Sequence, residues 1–175
     1  LRKGLFPPGL ERQTAREWAD AAFEKYGLLV ENIISNPTPN GKPDCYALVS
    51  GQKVGIELTE LVDEELLTRI QKEPVPELRL SPYCGAGFKL AWCNKDRFFE
   101  LLDKAIDIKN AKYIKATTSA DFLIVHTDMT WLRPEEIENW LGERSLTRRS
   151  AFTSAYLLMS YFPGYSDEWP IFRLY

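Results

Sequence analysis

The N-terminal part of the chain carries apolar residues at helical spacing. Between Leu10 and Tyr26 they recur at i, i+3, i+4, i+7, i+8 and i+11, and Gly27 follows as a residue that commonly ends a helix. The spacing predicts an amphipathic helix whose buried face contains Ala15, Trp18, Ala19, Ala22, Phe23 and Tyr26. A second amphipathic helix is predicted from Lys95 to Tyr113, and its buried face contains Phe98, Leu101, Leu102, Ala105, Ile106, Ile108 and Tyr113.

The stretch from Lys42 to Asp63 predicts two strands joined by a tight turn. Apolar and polar residues alternate from Lys53 to Leu61, which is the pattern of a strand with two different faces. The turn residues Ser50, Gly51 and Gln52 before it predict an antiparallel hairpin. The two faces of the second strand hold Val54, Ile56 and Leu58 on one side and Gly55, Glu57 and Thr59 on the other.

The remaining pattern predicts four more strands and one more helix. A β-branched run from Leu28 to Ile34 precedes the hairpin, and the near-continuous apolar run from Ala120 to Thr127 is typical of a central strand that is covered on both faces. Pro134, followed by two acidic residues, opens a helix from Arg133 to Leu141. The last two strands are Ser154 to Phe162 and Trp169 to Leu174. This alternation of helices and strands indicates an α/β fold.

Two acidic residues of the hairpin are expected to lie close together. Asp44 follows Pro43 at the start of the first strand, and Glu57 lies toward the end of the second. Because the strands are antiparallel, the start of one lies beside the end of the other. Two converging carboxylates make this hairpin the main candidate for a functional site.

Two other charged residues fall on the predicted buried faces of the helices. Glu11 is four residues before Ala15 and continues the buried face of the first helix toward its N-terminus. It is either a site residue or a first-turn acid that the helix dipole favours. Lys109 lies in the buried face of the second helix, where its ammonium needs an acidic partner unless the stem carries it to solvent.

Pro43-Asp44, twelve residues and then Glu57-x-Thr59 resemble the signature of the PD-(D/E)XK superfamily of restriction-endonuclease-like nucleases. This chain has Thr59 where the family usually has lysine. The predicted order of helix, three strands, helix and strand, from Leu10 to Asp128, also matches the core order αβββαβ of that fold. The resemblance implies a three-layer α/β/α domain with a central mixed sheet, to which the C-terminal helix and strands are added.

The resemblance also implies a chemistry. Asp44, Glu57 and the main-chain carbonyl of Leu58 would bind Mg²⁺ or Mn²⁺, and the reaction would be hydrolysis of phosphodiester bonds, in DNA more than in RNA. Glu11 would face the site from the first helix. Thr59 cannot offer a positive charge, and Lys109 is the residue expected to supply it. The alternative is a catalytically inactive nuclease-fold protein that binds DNA or another protein.

Composition and charge modify this expectation only slightly. The chain has 175 residues, of which 45% are hydrophobic and 27% charged, so we expect one globular domain over 1–175. Its net charge of −3 provides no general basic field for nucleic acid, so phosphate contacts would come from local patches. Candidate patches, which could equally be ordinary solvated surface, are Arg144, Arg148 and Arg149, and Arg69, Lys72, Arg79 and Lys89 in or next to the extended segment 73–93.

Several other functional classes are disfavoured. Three cysteines without a CxxC pair and the single His126 do not make the usual four-ligand zinc site. His126 is expected to be a structural or surface histidine. No apolar run has the length of a membrane span, and the proline-rich N-terminus does not resemble a signal peptide. We therefore expect a cytoplasmic protein without a membrane partner. The sequence does not determine the oligomeric state, and a homodimer is one of the possibilities.

Overall fold

The protein is a mixed α/β structure with one six-stranded open sheet and three helices in the part of the chain that is described. The computed structural model describes residues 10–38, 41–65, 68, 94–129, 132–160 and 169–175. The basic residues proposed in and next to segment 73–93 lie outside these ranges. The elements are α1 Leu10–Tyr26, β1 Glu31–Ser35, β2 Cys45–Val49, β3 Gln52–Glu60, α2 Lys95–Lys115, β4 Ala120–Thr127, α3 Pro134–Glu143, β5 Phe152–Met159 and β6 Ile171–Arg173.

The strands are arranged across the sheet in the order in which they occur in the chain. β1, β2 and β3 are antiparallel neighbours, β3, β4 and β5 are parallel neighbours, and β6 is antiparallel to β5. Each parallel pair needs a crossover connection. In the chain, α2 lies between β3 and β4, and α3 lies between β4 and β5. β4 is therefore an interior strand, as its apolar sequence predicts.

The β2–β3 hairpin closes with a two-residue turn. Val49 pairs with Gln52, so that Ser50 and Gly51 form the turn. Both have positive φ angles, 51° at Ser50 and 77° at Gly51. This conformation suits the twist of an antiparallel hairpin, and glycine adopts it without steric cost. The predicted hairpin is confirmed.

Apolar residues cover both faces of the sheet. On one face Ile56, Leu58 and Ile124 share a cluster with Trp18 and the alanines of α1. On the other face Leu123, Val125, Ala155 and Leu157 share a cluster with residues of α2 and α3, among them Phe98, Leu102, Tyr113 and Ile137. Glu57 is flanked by Ile56 and Leu58 in β3, so its side chain points toward the face that α2 covers. A polar side chain thus enters a packed apolar layer.

The predicted bounds are correct for α1 and β4 and differ by up to three residues at the other elements, and three predicted core positions are wrong. α1 and β4 have the predicted bounds, and α2 continues two residues further than expected, to Lys115. Phe23, Tyr26 and Ile108 are 49%, 40% and 47% exposed. In α1 the buried face is centred near Trp18 and includes Ala21, whereas Phe23 is about 140° further around the helix. The alanines on both sides of Trp18 allow a close approach of the helix to the sheet.

Among the described residues, no helix is both long and apolar enough to cross a membrane.

Candidate active site

The loop before β2 positions Asp44. Asn36 donates a side-chain hydrogen bond of 2.8 Å to the Pro43 carbonyl, and its main-chain N–H donates one of 2.8 Å to the Asp44 carbonyl. The Pro43 ring lies directly over Gly55, where a Cβ atom would be 2.8 Å from Pro43 Cγ. Only glycine therefore permits this approach. These contacts hold the Pro43-Asp44 segment against β3.

The Asp44 carboxylate is bound to the strand that carries Glu57. Its Oδ2 accepts a hydrogen bond of 2.8 Å from the main-chain N–H of Leu58. The ladder pairs Cys45 with Ile56, so Asp44 and Glu57 are the next residues at the same end of the hairpin. Opposed residues of antiparallel strands direct their side chains to the same face. The structure thus brings the two predicted acids together.

Glu57 is one of the few buried charged residues in the described part of the chain. It is 3% exposed, and α2 provides partners for both of its carboxylate oxygens. The Lys109 ammonium forms an ion pair with Oε1. The Tyr113 hydroxyl donates a hydrogen bond of 2.6 Å to Oε2. This arrangement meets the requirement that a buried carboxylate be paired and hydrogen-bonded.

Lys109 and Tyr113 lie one helical turn apart, so both side chains project from the same side of α2. The predicted pairing of Lys109 with a carboxylate of the sheet is confirmed, and its side chain is only 18% exposed. Tyr113, in contrast, was expected only as an apolar core residue. Its position four residues after a buried lysine was the available signal that its hydroxyl would reach the same carboxylate.

The Asp44 carboxyl titrates abnormally. Burial, and after it the negative charge of Glu57, raise its pKa from 3.8 to about 7. The Lys109 ammonium and the Leu58 N–H oppose the rise, and Glu11 adds a smaller contribution to it. Near neutral pH, the Asp44 carboxyl is therefore partly protonated. Crowded carboxylates with a raised pKa are common at functional sites.

Glu11 and Thr59 are near the site but do not contact its acids directly. Glu11 is half-buried in α1 and acts on Asp44 through its charge. Thr59 is half-buried on the same strand face as Glu57 and pairs with Val125 in the ladder. No hydrogen bond joins Glu11 or Thr59 to Asp44 or Glu57 in the structure described. The clustered residues are Asp44, Glu57, Lys109 and Tyr113.

The donor set fits a hard divalent cation that keeps several waters. Among the described residues there is no group of three or more His, Cys, Asp or Glu able to hold a metal ion. Mg²⁺ is commonly bound through only one or two carboxylates, and Asp44 and Glu57 provide those. Burial, and after it the charge of Glu57, raise the pKa of Asp44, and a bound cation would relieve the repulsion between the two carboxylates. The neighbouring Cys45 adds no thiolate, because burial and Asp44 raise its pKa to about 12.

The predicted phosphate-binding cluster is engaged within the protein. Arg144 forms an ion pair with Asp103 of α2, and Arg149 forms ion pairs with Asp103 and Asp107. Arg148 donates to the Phe152 carbonyl. Arg144 and Arg149 therefore hold the segment after α3 against α2, and Arg148 bonds locally, to the first residue of β5.

His126 is half-buried at the end of β4. Its Nε2 is 3.4 Å from the Ser160 hydroxyl, and burial lowers its pKa.

Comparisons with known proteins provide no family assignment. No family model matches the chain, and no curated protein or solved structure is significantly similar to it.

Proposed function

We propose that this protein is a metal-dependent nuclease that hydrolyses phosphodiester bonds of nucleic acid, DNA more than RNA. The observation that carries the proposal is the cluster of Asp44, Glu57 and Lys109, three charged groups brought together from a loop, a strand and a helix. Burial and the charge of Glu57 raise the pKa of Asp44 to about 7, and a carboxyl perturbed by burial and by a specific charged neighbour is a candidate for a functional group.

The fold assignment is part of the same proposal. We assign the restriction-endonuclease-like fold, with α/β/α layering and the core order αβββαβ that the sequence resemblance implies. It is supported by α1 on one face of the sheet, α2 on the other, and the β1–β2–β3 meander followed by β4 parallel to β3. Asp44 lies immediately before the second strand and Glu57 lies in the third, as the resemblance requires.

In the proposed site Asp44, Glu57 and the Leu58 carbonyl hold Mg²⁺ or Mn²⁺. When bound, the cation would activate a water molecule for attack on phosphorus and neutralise charge on the phosphate. Asp44 must lose its proton before it can act as a ligand, and its pKa of about 7 makes that loss possible near neutral pH. The Leu58 N–H keeps the Asp44 carboxylate directed toward the strand.

In the nucleases that this chain resembles, a lysine lies two residues after the glutamate. We assign the role of that lysine to Lys109. Its ammonium contacts Glu57, although its backbone is on α2 instead of β3. A fixed ammonium beside the reacting phosphate would stabilise the negative charge that develops during hydrolysis. Because Lys109 supplies the positive charge from α2, Thr59 can occupy the usual lysine position in β3 without loss of that charge. Glu11 is assigned only an electrostatic influence on this site.

A second candidate function has a specific observation in its favour. Lys109 already compensates the charge of Glu57, so the buried carboxylate has a partner without a cation. A nuclease-fold protein that has lost catalysis and binds DNA or a protein partner could retain the same pair. The overall charge of −3 agrees with this alternative at least as well as with a nuclease.

The test is cleavage of single- and double-stranded DNA and RNA with Mg²⁺, with Mn²⁺ and with a chelator. We expect cleavage that needs the cation and falls to background in Asp44→Asn and Glu57→Gln. Glu24→Gln, an exposed change in α1, is the control and should cut normally. Cation-independent cutting, or full activity in the two site variants, would reject the proposal. Nucleic-acid binding without cleavage under all conditions would favour the second candidate.

A further inference from the structure

The Tyr113 hydroxyl is one of two α2 groups that contact the Glu57 carboxylate. Tyr113 is completely buried, and its hydroxyl donates to Glu57 Oε2 at 2.6 Å. Lys109 contacts the other oxygen, Oε1. Each carboxylate oxygen accepts two interactions, so one hydrogen bond on each still leaves acceptor capacity on both. The two α2 side chains therefore fix the Glu57 carboxylate and leave part of its acceptor capacity for another partner.

The ring of Tyr113 is itself held in place from two sides. Phe152 of β5 packs against it with ring centroids 5.1 Å apart. The Lys42 ammonium lies 5.0 Å from the ring centroid and also donates to the Lys112 carbonyl at 3.1 Å. Lys42 immediately precedes the Pro43-Asp44 segment, so Tyr113 contacts both Glu57 and the residue next to that segment. A donor on a helix with a packed ring is far more precisely placed than one on a loop.

We infer that Tyr113 is a positioning residue of the proposed metal site, which fixes the orientation of Glu57 through its hydroxyl. The inference rests on the proposed function, because it assigns Tyr113 to the outer shell of the cation that Asp44 and Glu57 would hold. Hydrogen-bond donors to a ligating carboxylate set its rotamer and its orientation toward the metal. Their loss typically weakens metal affinity by about ten- to hundredfold.

A purely structural role makes a different prediction for the same contact. A buried tyrosine hydroxyl needs a hydrogen-bond partner whether or not a metal binds, and Glu57 is such a partner. In that case removal of the hydroxyl would lower thermal stability and leave the metal affinity of the folded protein unchanged. Stability and affinity therefore separate the two roles.

The experiment is calorimetric titration of Mn²⁺ into the wild type, Tyr113→Phe, Tyr156→Phe and Asp44→Asn, each with its thermal unfolding recorded. Tyr156 is a buried tyrosine on the opposite face of the sheet and serves as the matched control. We expect Tyr113→Phe to weaken Mn²⁺ binding about ten- to hundredfold while still folding. Tyr156→Phe should bind Mn²⁺ like the wild type.

Each other outcome has a definite meaning. If Asp44→Asn loses Mn²⁺ binding and Tyr113→Phe binds like the wild type, the metal site stands and the positioning role is refuted. If the wild type binds no Mn²⁺, the proposed metal site is rejected, and the positioning role with it. Should Tyr113→Phe fail to fold, the hydroxyl proton of Tyr113 in the wild type provides the readout by NMR. A shift of that resonance on addition of Mg²⁺ is expected, and no change would refute the inference.

Discussion

Lys109 of α2 and Glu57 of β3 form an ion pair that connects the helix to the sheet at the proposed site. The Glu57 side chain is 3% exposed and that of Lys109 is 18% exposed, so little water screens the pair. Removal of one member would leave the other as a buried, uncompensated charge, which typically costs about 3–5 kcal/mol. The pair therefore has a structural function as well as the proposed catalytic one, and experiments must separate the two.

Variants of Lys109 make that separation. Lys109→Ala should fold with reduced stability, bind Mn²⁺ close to the wild-type level and lose cleavage, because the two acids remain and the positive charge does not. Lys109→Met, which keeps most of the stem, should likewise be inactive. Cleavage rates, Mn²⁺ calorimetry and thermal unfolding measure the three effects. Lys104→Ala, exposed on the same helix, is the control. If Lys109→Met cuts at the wild-type rate, Lys109 is not catalytic and only compensates the charge of Glu57.

The raised pKa of Asp44 predicts how the stability of the metal-free protein depends on pH. The folded-state pKa of about 7 lies above the unfolded value of 3.8, so the folded state holds the proton more tightly. The stability that this proton provides is complete below about pH 4 and is lost as the pH rises through about 7. Asp44→Asn has no such proton to lose.

The measurement is thermal unfolding of both proteins with a chelator between about pH 4 and pH 8. Relative to the wild type, Asp44→Asn should gain stability progressively over this interval, because only the wild type must bury a second negative charge. Titrating groups remote from Asp44 are common to the two proteins and cancel in the difference. A difference that stays constant with pH would mean that Asp44 titrates normally.

The same proton should be released when a cation binds. Below its pKa of about 7, Asp44 carries a proton that a metal must displace. Calorimetry in buffers of different ionisation enthalpy should therefore show nearly one proton released per Mn²⁺ at about pH 6 and almost none above about pH 8. The apparent affinity should fall about tenfold for each pH unit below 7. Binding without proton release at pH 6 would place the cation elsewhere.

The sequence was sufficient for most of the fold because its signals are local. Helical spacing defined α1 from Leu10 to Tyr26, and the apolar run from Ala120 to Thr127 defined β4 with its observed bounds. The exposure of Phe23 was not predictable from spacing alone, since it depends on how the helix rotates when alanines pack on the sheet. Nor do local signals determine sheet order, because it depends on contacts between distant segments.

Close packing at Gly55 makes the position of Asp44 testable without altering any charge. A Cβ at residue 55 would be 2.8 Å from the Pro43 ring, and this rigid ring must then move. Gly55→Ala should therefore destabilise the protein by about 1–3 kcal/mol and weaken Mn²⁺ binding, because Asp44 moves with Pro43. Gly142→Ala in α3, where nothing lies within 4 Å of the new Cβ, should bind Mn²⁺ normally. Equal affinities in the two variants would show that Pro43 does not position the carboxylate.

The candidate site was only partly predictable. The approach of Asp44 to Glu57 follows from an antiparallel hairpin, and the pairing of Lys109 follows from the cost of burying an ammonium. Tyr113 was not identified as a site residue, because an aromatic residue on an apolar helix face predicts only a core position. Its spacing of four residues from Lys109 was the one signal of a shared partner. The Leu58 N–H contact of Asp44 was also beyond prediction, since it depends on where the chain crosses before β2.

The most direct test of the central claim is an anomalous-scattering map from a crystal of the wild-type protein soaked with Mn²⁺. We expect one strong manganese peak with oxygen atoms of Asp44 and Glu57 at about 2.0–2.6 Å, distances typical of hard cations bound by carboxylates. The same map from Asp44→Asn should lack the peak. A manganese peak elsewhere, or none at the hairpin at saturating Mn²⁺, would contradict the assignment of this site as the metal centre of a nuclease.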